Sequence, residues 1–237
     1  MIPWLTEGEP YFPDTHHALD DPNGLLAAGG ELNAAWLKAA YPQGIFPWFS
    51  DDDPILWWSP SPRCVLYPSQ FHESKSLKKS LRKTDFSVKI DSQFEEVIRQ
   101  CAALRGEGGT WISEQIIAAY TDLHHQGIAH SIEVYRADQL VGGLYGLAIG
   151  RLFFGESMFS RVTDASKLAT KILCAELEKA NYAVIDCQIH NPHLASLGAV
   201  EIERDKFEQL LLECTQAPST NPWAKQHWYP DVEPTDA

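Results

Sequence analysis

The chain of 237 residues contains no run of about eighteen apolar residues, the length that a helix needs to span a bilayer. Its N-terminal segment carries Glu7, Glu9 and Asp14 but no early Lys or Arg, so the charged start of a secretory signal is missing as well. These absences predict a cytoplasmic protein with no membrane partner.

Cysteine is scarce, and its number and spacing argue against disulfide and zinc chemistry. There are five cysteines, an odd number, and no pair has the Cys-x-x-Cys spacing of a zinc knuckle. The histidine pairs His124-His125 and His190-x-x-His193 lack a third ligand motif. We therefore expect neither a disulfide framework nor a metal site, and no cofactor. Cys174 and Cys187 are interpreted as inert core thiols.

Positive charge is also limited, because 19 Lys and Arg face 32 Asp and Glu, for a net charge of −13. Such a surface repels phosphate polymers in general. The exception is the segment 74–84, which has five cations and no acid: Lys75, Lys78, Lys79, Arg82 and Lys83. At helical spacing they share one face, which favours binding of an oriented polyanion. The alternative is an ordinary solvated helix face.

The segment 41–63 is unusually rich in aromatic residues and proline, and it holds three of the eight tryptophans. Proline restricts the backbone, so the rings can be held in place without a long regular element. The five rings of this aromatic platform are Phe46, Trp48, Phe49, Trp57 and Trp58. They suit stacking on a flat ligand, although filling the core of a small domain is an equally good interpretation.

The chain divides into a small irregular N-terminal domain, 1–62, and a larger regular domain, 63–237. The periodicity predicts helices at 34–40, 93–105 and 113–126, then strands at 131–135, 139–149 and 151–158, a buried helix, a strand at 182–189 and a helix at 192–197. Meander, helix, strand and capped helix in this order are typical of the N-acetyltransferase-like fold. The expected class is α/β (α+β), with a mixed, largely antiparallel sheet.

Two polar residues interrupt the apolar strand near residue 186. Alternation places Asp186 and Gln188 on one face, about 6.5 to 7 Å apart at Cα, so their side chains can touch. Burial of such groups is unfavourable unless they are paired or functional. A structural hydrogen bond is the alternative to a functional pair.

A second polar anomaly is Glu156, which shares a strand face with Phe154 and Met158. It is either a substrate clamp or an ion partner of Arg161. Apolar residues near it could line a pocket or belong to the plain core: Leu144, Met158, Leu173, Leu177 and Ile185.

Seven sequence blocks together resemble the leucyl/phenylalanyl-tRNA–protein transferases. They are Pro22-Asn-Gly-Leu-Leu-Ala-Ala-Gly-Gly, Gly44-Ile-Phe-Pro-Trp-Phe, Pro54-Ile-Leu-Trp-Trp-Ser-Pro, Gly109-Thr-Trp-Ile, His130-Ser-Ile-Glu-Val, Gly155-Glu-Ser-Met-Phe-Ser-Arg and Ile185-Asp-Cys-Gln. The resemblance implies transfer of Leu or Phe, or even Met, from aminoacyl-tRNA to proteins that begin with Arg or Lys, which marks them for degradation.

The resemblance also implies residue roles. Asp186 and Gln188 match the catalytic pair, Trp48 and Trp111 match aromatics that hold the 3′-terminal adenosine, and Glu156 lies in the site region. The implied side-chain pocket is Leu144, Met158, Thr170, Leu173, Leu177 and Ile185. Leu173 and Leu177 stand where some members have Phe, so the preference between Leu and Phe stays open.

The chemistry fits this assignment, because an aminoacyl ester is already activated and needs mainly an amine held beside it. We expect the Gln188 carbonyl to accept the amine N–H while Asp186 accepts from the Gln188 side-chain amide. Two alternatives are an acyl-CoA-dependent N-acetyltransferase and a non-catalytic RNA- or carbohydrate-binding module. The first lacks a glycine-containing pyrophosphate loop at 161–166, and the second leaves Asp186 and Gln188 unexplained.

Overall fold

The structure is a computed structural model that describes residues 2–50, 52–82, 85–103 and 111–224. Its strands are β1 (Trp4–Leu5), β2 (Leu25–Gly29), β3 (Phe46–Pro47), β4 (Leu56–Trp58), β5 (Arg63–Leu66), β6 (Phe86–Ile90), β7 (Ala129–Arg136), β8 (Gln139–Ile149), β9 (Leu152–Ser160), β10 (Val184–Gln188) and β11 (Val200–Ile202). Its helices are α1 (Ala34–Ala40), α2 (Lys75–Leu81), α3 (Phe94–Ala103), α4 (Glu114–His125), α5 (Ala165–Lys179), α6 (Pro192–Ser196) and α7 (Arg204–Cys214).

The N-terminal segment is more regular than its composition suggests. Four short strands form a sheet in the order β1-β2-β4-β3, and α1 begins at the expected residue, capped by the Asn33 side chain. The sequence analysis did not identify these strands, because proline and glycine end them after two to five residues, which hides their periodicity.

The large sheet has seven strands in the order β11-β5-β10-β9-β8-β7-β6. The meander β7-β8-β9 is antiparallel, and β10 lies parallel to β9 after the crossover through α5. This arrangement confirms the α/β class and the largely antiparallel, mixed sheet.

Helices cover both faces of this sheet, and the sheet separates two apolar clusters. One cluster joins α3, α4 and α7 to residues of the first sixty, and the other joins α2 and α5 to the opposite face. The buried helix predicted after the meander is α5, whose apolar residues span a wide arc. Within the described residues, no helix has the length and hydropathy needed to cross a membrane.

Two β-bulges interrupt the ladders beside one another. Between β8 and β9 the register shifts so that Glu156 is the extra residue, and between β10 and β5 it shifts so that Cys187 is the extra residue. A bulge turns the neighbouring side chain away from strict alternation. The two irregularities lie on the adjacent strands β9 and β10, where the candidate site is found.

Candidate active site

A cavity of about 310 Å³ opens between the central strands and the helices α5 and α6. Its apolar wall includes five of the six expected pocket residues: Leu144, Met158, Thr170, Leu173 and Ile185. The sixth, Leu177, does not line the cavity and is fully buried in the core on the α5 side. The Thr170 hydroxyl donates to the Ser166 carbonyl of its own helix at 3.0 Å, so its only O–H donor is already used there.

Gln188 ends β10 at the wall of this cavity. Its backbone has φ of 59°, a left-handed conformation that is uncommon for a residue other than glycine. Its side-chain Nε2 is buried and has no hydrogen-bond partner among the described residues. An amide held in a strained backbone position with an unused donor is a typical feature of a functional site.

Asp186 lies beneath Gln188 and is fully buried, so it does not line the cavity. Its Oδ1 accepts a hydrogen bond from the backbone N–H of Gln188 at 2.9 Å. This contact differs from the expected one, in which the side-chain amide donated. The bulge at Cys187 explains the difference, because it breaks the alternation that would have placed both side chains on one face.

Asp186 has a second partner that the sequence analysis did not identify. Arg63, 1% exposed, donates through Nε to Oδ1 at 2.8 Å and through Nη2 to Oδ2 at 2.6 Å. The sequence analysis assigned Arg63 no role beyond being the first residue of the second domain. The available signal was a cation that opens the otherwise apolar strand Arg-Cys-Val-Leu.

Glu156 lines the cavity from the other bulge. Its Oε1 accepts from the Tyr41 hydroxyl at 2.7 Å and its Oε2 from the Tyr120 hydroxyl at 3.1 Å, while the two hydroxyls also contact each other. Burial raises the pKa of Glu156 to about 7, although both tyrosine hydrogen bonds lower it. The expected alternative of an Arg161 ion pair is wrong, because the Arg161 guanidinium donates to Gln100 instead.

The aromatic platform divides between core and surface. Trp57 and Phe46 are buried, whereas Trp48 is 42% exposed and Phe49 and Trp58 are partly buried. The Trp58 Nε1 donates to the Trp48 carbonyl at 2.6 Å, with the two rings 5.5 Å apart. The core-filling interpretation thus applies to Trp57 and Phe46, whereas stacking on a ligand by the exposed ring of Trp48 stays a prediction.

Trp111 precedes α4, is partly buried and packs against the core on the α4 side. Neither Trp48 nor Trp111 is among the described residues that line the cavity. Neither of the two rings expected to bind adenosine therefore lies on the wall of the cavity that Gln188 lines.

The cationic segment forms α2, which the Ser74 side chain caps. Lys75, Lys78, Lys79 and Arg82 are exposed and line one shallow surface depression. Lys83 lies outside the described residues. The helical periodicity was correctly read, and Leu77 and Leu81 form the buried face.

The thiols are free, as the spacing indicated. Burial raises the pKa of Cys174 to about 12, which keeps it a neutral core thiol. Cys187 differs from the expectation of a core position, because it lines the cavity. A hydrogen bond with Cys64, together with burial, holds the pKa of Cys187 well above its usual value.

Family models and sequence relatives agree on one family. The family model described as "Leucyl/phenylalanyl-tRNA protein transferase" matches residues 65–212, and the model of that family's N-terminal domain matches residues 30–61. The chain is similar to the leucyl/phenylalanyl-tRNA–protein transferase of Cellvibrio japonicus, with 52% identity over 99% of this chain and 98% of the relative. It is also similar to that of an Azoarcus species, with 57% identity over 87% of this chain and 88% of the relative.

Proposed function

Because the chain belongs to the leucyl/phenylalanyl-tRNA–protein transferase family, a family of aminoacyltransferases, we propose that it joins Leu or Phe to proteins that begin with Arg or Lys. The donor is aminoacyl-tRNA and the acceptor is the N-terminal α-amine. The product carries a bulky apolar N-terminus, which acts as a degradation signal in the cytoplasm, where charged tRNA is found.

The observation that supports this proposal most directly is the cavity with Gln188 at its wall. Leu144, Met158, Leu173 and Ile185 give it an apolar lining suited to an aliphatic or aromatic side chain. The same cavity exposes a small number of polar groups, which can orient the ester that follows that side chain. Donor side chain and reacting carbonyl therefore fit one site.

The chemistry asks little of the protein beyond placement and one proton transfer. The α-amine of a peptide titrates at a pKa of roughly 7.7 to 8.0, so only about a tenth is neutral at pH 7. The Gln188 carbonyl oxygen accepts an N–H of the bound amine and orients its lone pair toward the ester carbon. The C–N bond forms, the C–O ester bond breaks, and the 3′ oxygen of the adenosine takes the proton.

Asp186 takes a different part from the one that alternation suggested. It accepts a hydrogen bond from the backbone N–H of Gln188 and so fixes the direction in which the side-chain amide points. In this proposal Asp186 acts on Gln188 through the main chain, and Gln188 alone reaches the amine.

The tRNA end is bound outside the cavity. Single-stranded RNA ends are recognised by stacking, and Trp48 offers an exposed ring for the terminal adenosine, with Trp111 as its proposed partner. The cations of α2 are suited to acceptor-stem phosphates, since Lys75, Lys78, Lys79 and Arg82 point outward from an acidic molecule, with Lys83 next in sequence.

Two rival functions make different predictions at this site. An acyl-CoA enzyme needs backbone amides free to bind pyrophosphate at the start of α5, whereas here the Ser166 N–H donates to the Ser160 hydroxyl at 3.2 Å. The N-cap residue is Asp164, whose negative charge disfavours a phosphate at that position. A non-catalytic RNA or carbohydrate module would bind its ligand and release no new covalent product.

The test is transfer of labelled phenylalanine from its tRNA to peptides that differ only in their first residue. We expect labelled product with N-terminal Arg and Lys and none with Ala. Labelled acetyl-CoA, offered in place of the charged tRNA, is the control for the acyl-CoA alternative. Equal labelling of the Ala peptide, or labelling only from acetyl-CoA, would refute the proposal.

A further inference from the structure

The guanidinium of Arg63 is an unusual group to find buried. Arginine is almost never fully buried in a protein unless it is paired, yet this side chain is 1% exposed at the first position of β5. It lies next to β10, the strand that carries Asp186 and Gln188.

Arg63 holds both oxygens of Asp186 in a two-pronged contact, through Nε at 2.8 Å and Nη2 at 2.6 Å. A fork of this kind fixes the orientation of the carboxylate as well as its charge. Asp186 therefore has little freedom to rotate, and its Oδ1 stays directed at the Gln188 N–H, 2.9 Å away.

Two aromatic rings fix the guanidinium itself. Its central carbon lies 5.0 Å from the ring centre of Phe46 and 4.6 Å from that of Phe207. Cation–π contacts of this length are favourable, more so when the cation is desolvated. Phe46 comes from β3 and Phe207 from α7, so the position of Arg63 is set by elements from both ends of the chain.

Stability alone is a poor account of this arrangement. A buried ion pair can often be replaced by apolar residues without loss of stability, because desolvation offsets the attraction between the charges. Here the Nη1 donor is also left without a hydrogen-bond partner among the described residues. The geometry that the pair does secure is the left-handed backbone of Gln188, which a free chain would seldom adopt.

We propose that Arg63 is a positioning residue for the transfer reaction: it clamps Asp186, which in turn holds Gln188 in the conformation that directs its amide into the cavity. This inference rests on the proposed function for its kinetic consequence, but its structural link is independent of the substrate. It also assigns Asp186 and Arg63 a shared task, with Gln188 as the residue that touches the amine.

The test compares the wild-type enzyme with Arg63→Lys, which keeps the charge and removes the fork. We expect kcat for phenylalanine transfer to fall about 10- to 100-fold, as for a reacting group displaced by about 1 Å, with KM for the charged tRNA within about twofold. Arg204→Lys is the matched control, because it removes a half-buried guanidinium that donates to Ser59. That variant should keep the wild-type kcat.

A second readout separates positioning from general loosening of the sheet. Hydrogen exchange at the backbone N–H of Gln188 should become at least about tenfold faster in Arg63→Lys. The backbone N–H of Ile185, three residues earlier in β10, should exchange at the wild-type rate. Wild-type kcat in Arg63→Lys, or equal acceleration at both amides, would overturn the proposal. If the wild-type enzyme transfers nothing, the proposed function fails, while the exchange result still decides the link between Arg63 and Gln188.

Discussion

At the scale of single residues, the proposed reaction depends on how Gln188 is held. The residue combines a left-handed backbone, a main-chain hydrogen bond to a buried carboxylate and a side chain at the cavity wall. None of these features gives glutamine any basicity. They give it a fixed direction, which is what a weak acceptor needs to act on a bound amine.

Gln188→Ala should therefore affect the chemical step. We expect kcat for transfer to the Arg peptide to fall about 10²-fold or more, with KM for aminoacyl-tRNA nearly unchanged, because in the proposed mechanism the side-chain amide contacts the amine and not the tRNA. Steady-state kinetics measures both constants. Gln209→Ala, on the exposed side of α7, is the control and should keep both. A Gln188→Ala enzyme with wild-type kcat would exclude the role proposed for the amide.

Sequence periodicity located Gln188 but not its geometry. Counting by twos assumes an unbroken ladder, and the bulge at Cys187 breaks it. The same limit applies to Arg63, whose partner lies 123 positions away along the chain. An ion pair over that distance depends on which strands become neighbours, and no local pattern encodes the order β5-β10-β9.

At the scale of elements, strong periodicity was a reliable guide. The meander and α4 lie within about three residues of their expected bounds, because long alternating or amphipathic runs leave few alternatives. The short helices α1 and α6 also lie near their expected bounds, and α6 was predicted from the cap Asn191 and the proline that follows it. The short N-terminal strands were missed, since strands of two to five residues display little or no period.

Close packing at the bulge between β8 and β9 makes Gly146 irreplaceable. A Cβ there would lie 2.2 Å from the Phe154 carbonyl oxygen and 2.6 Å from the Phe153 ring, so the strands would have to separate. We expect Gly146→Ala to lower the free energy of unfolding by about 3 kcal/mol in urea titrations.

Its partner in the ladder provides the control. Gly155 faces Gly146, and a Cβ on it would come no closer than 3.5 Å, an ordinary contact with the Asp186 carbonyl. Gly155→Ala should unfold within about 0.5 kcal/mol of the wild type. Equal losses in the two variants would show that the close approach at Gly146 is not the cause.

The start of α3 is held by a buried carboxylate of β7. Glu133 accepts from the Ser92 N–H at 3.2 Å and from the Ser92 hydroxyl at 2.9 Å. Burial raises the pKa of Glu133 to about 7, while hydrogen bonds from Ser131 and Ser92 lower it. The folded chain thus keeps this proton to about pH 7, whereas the unfolded chain releases it near its ordinary pKa of 4.5.

Stability should therefore fall as the pH rises from about 4.5 to 7, because the folded state binds the additional proton across that window. Glu133→Gln cannot ionise, so its Tm relative to the wild type should increase by a few degrees between pH 5 and pH 8. Calorimetry at both pH values measures this difference. Glu213→Gln, exposed on α7, should show none, and a pH-independent offset for Glu133→Gln would contradict the expectation.

At the scale of the whole molecule, charge is distributed unevenly. The chain carries a net charge of −13, yet α2 presents a cationic face. Such a distribution repels RNA from most of the surface and orients it at one place. If all five cations met phosphates, log affinity should fall against log salt with a slope of about −3.5 to −4.5.

Removing two of these cations gives a direct test. Lys78→Ala/Lys79→Ala should reduce the magnitude of that slope by about 1.4 to 1.8, since each phosphate contact contributes about 0.7 to 0.9. Binding of charged tRNA at several salt concentrations measures it. Lys206→Ala, on exposed α7, should leave the slope unaltered. An unaltered slope in the double variant would remove α2 from the RNA interface.

The division at residue 62 stays a proposal, and the packing sets a limit on what it can mean. The larger apolar cluster combines Trp36 and Trp57 with Tyr120 and Phe207 in one core. The two sequence regions therefore share their interior, and we expect them to unfold together.

This shared interior has a consequence for the newly made chain. Phe207 and Leu211 pack so closely on Gly44 that a Cβ there would lie 2.9 Å from the Phe207 ring. Helix α7 leaves the ribosome among the last described elements. The N-terminal residues are made first, but their core cannot be completed until α7 has been synthesised. We expect a nascent chain stalled before residue 204 to have no transferase activity, although the charged tRNA consumed by its own translation is close by.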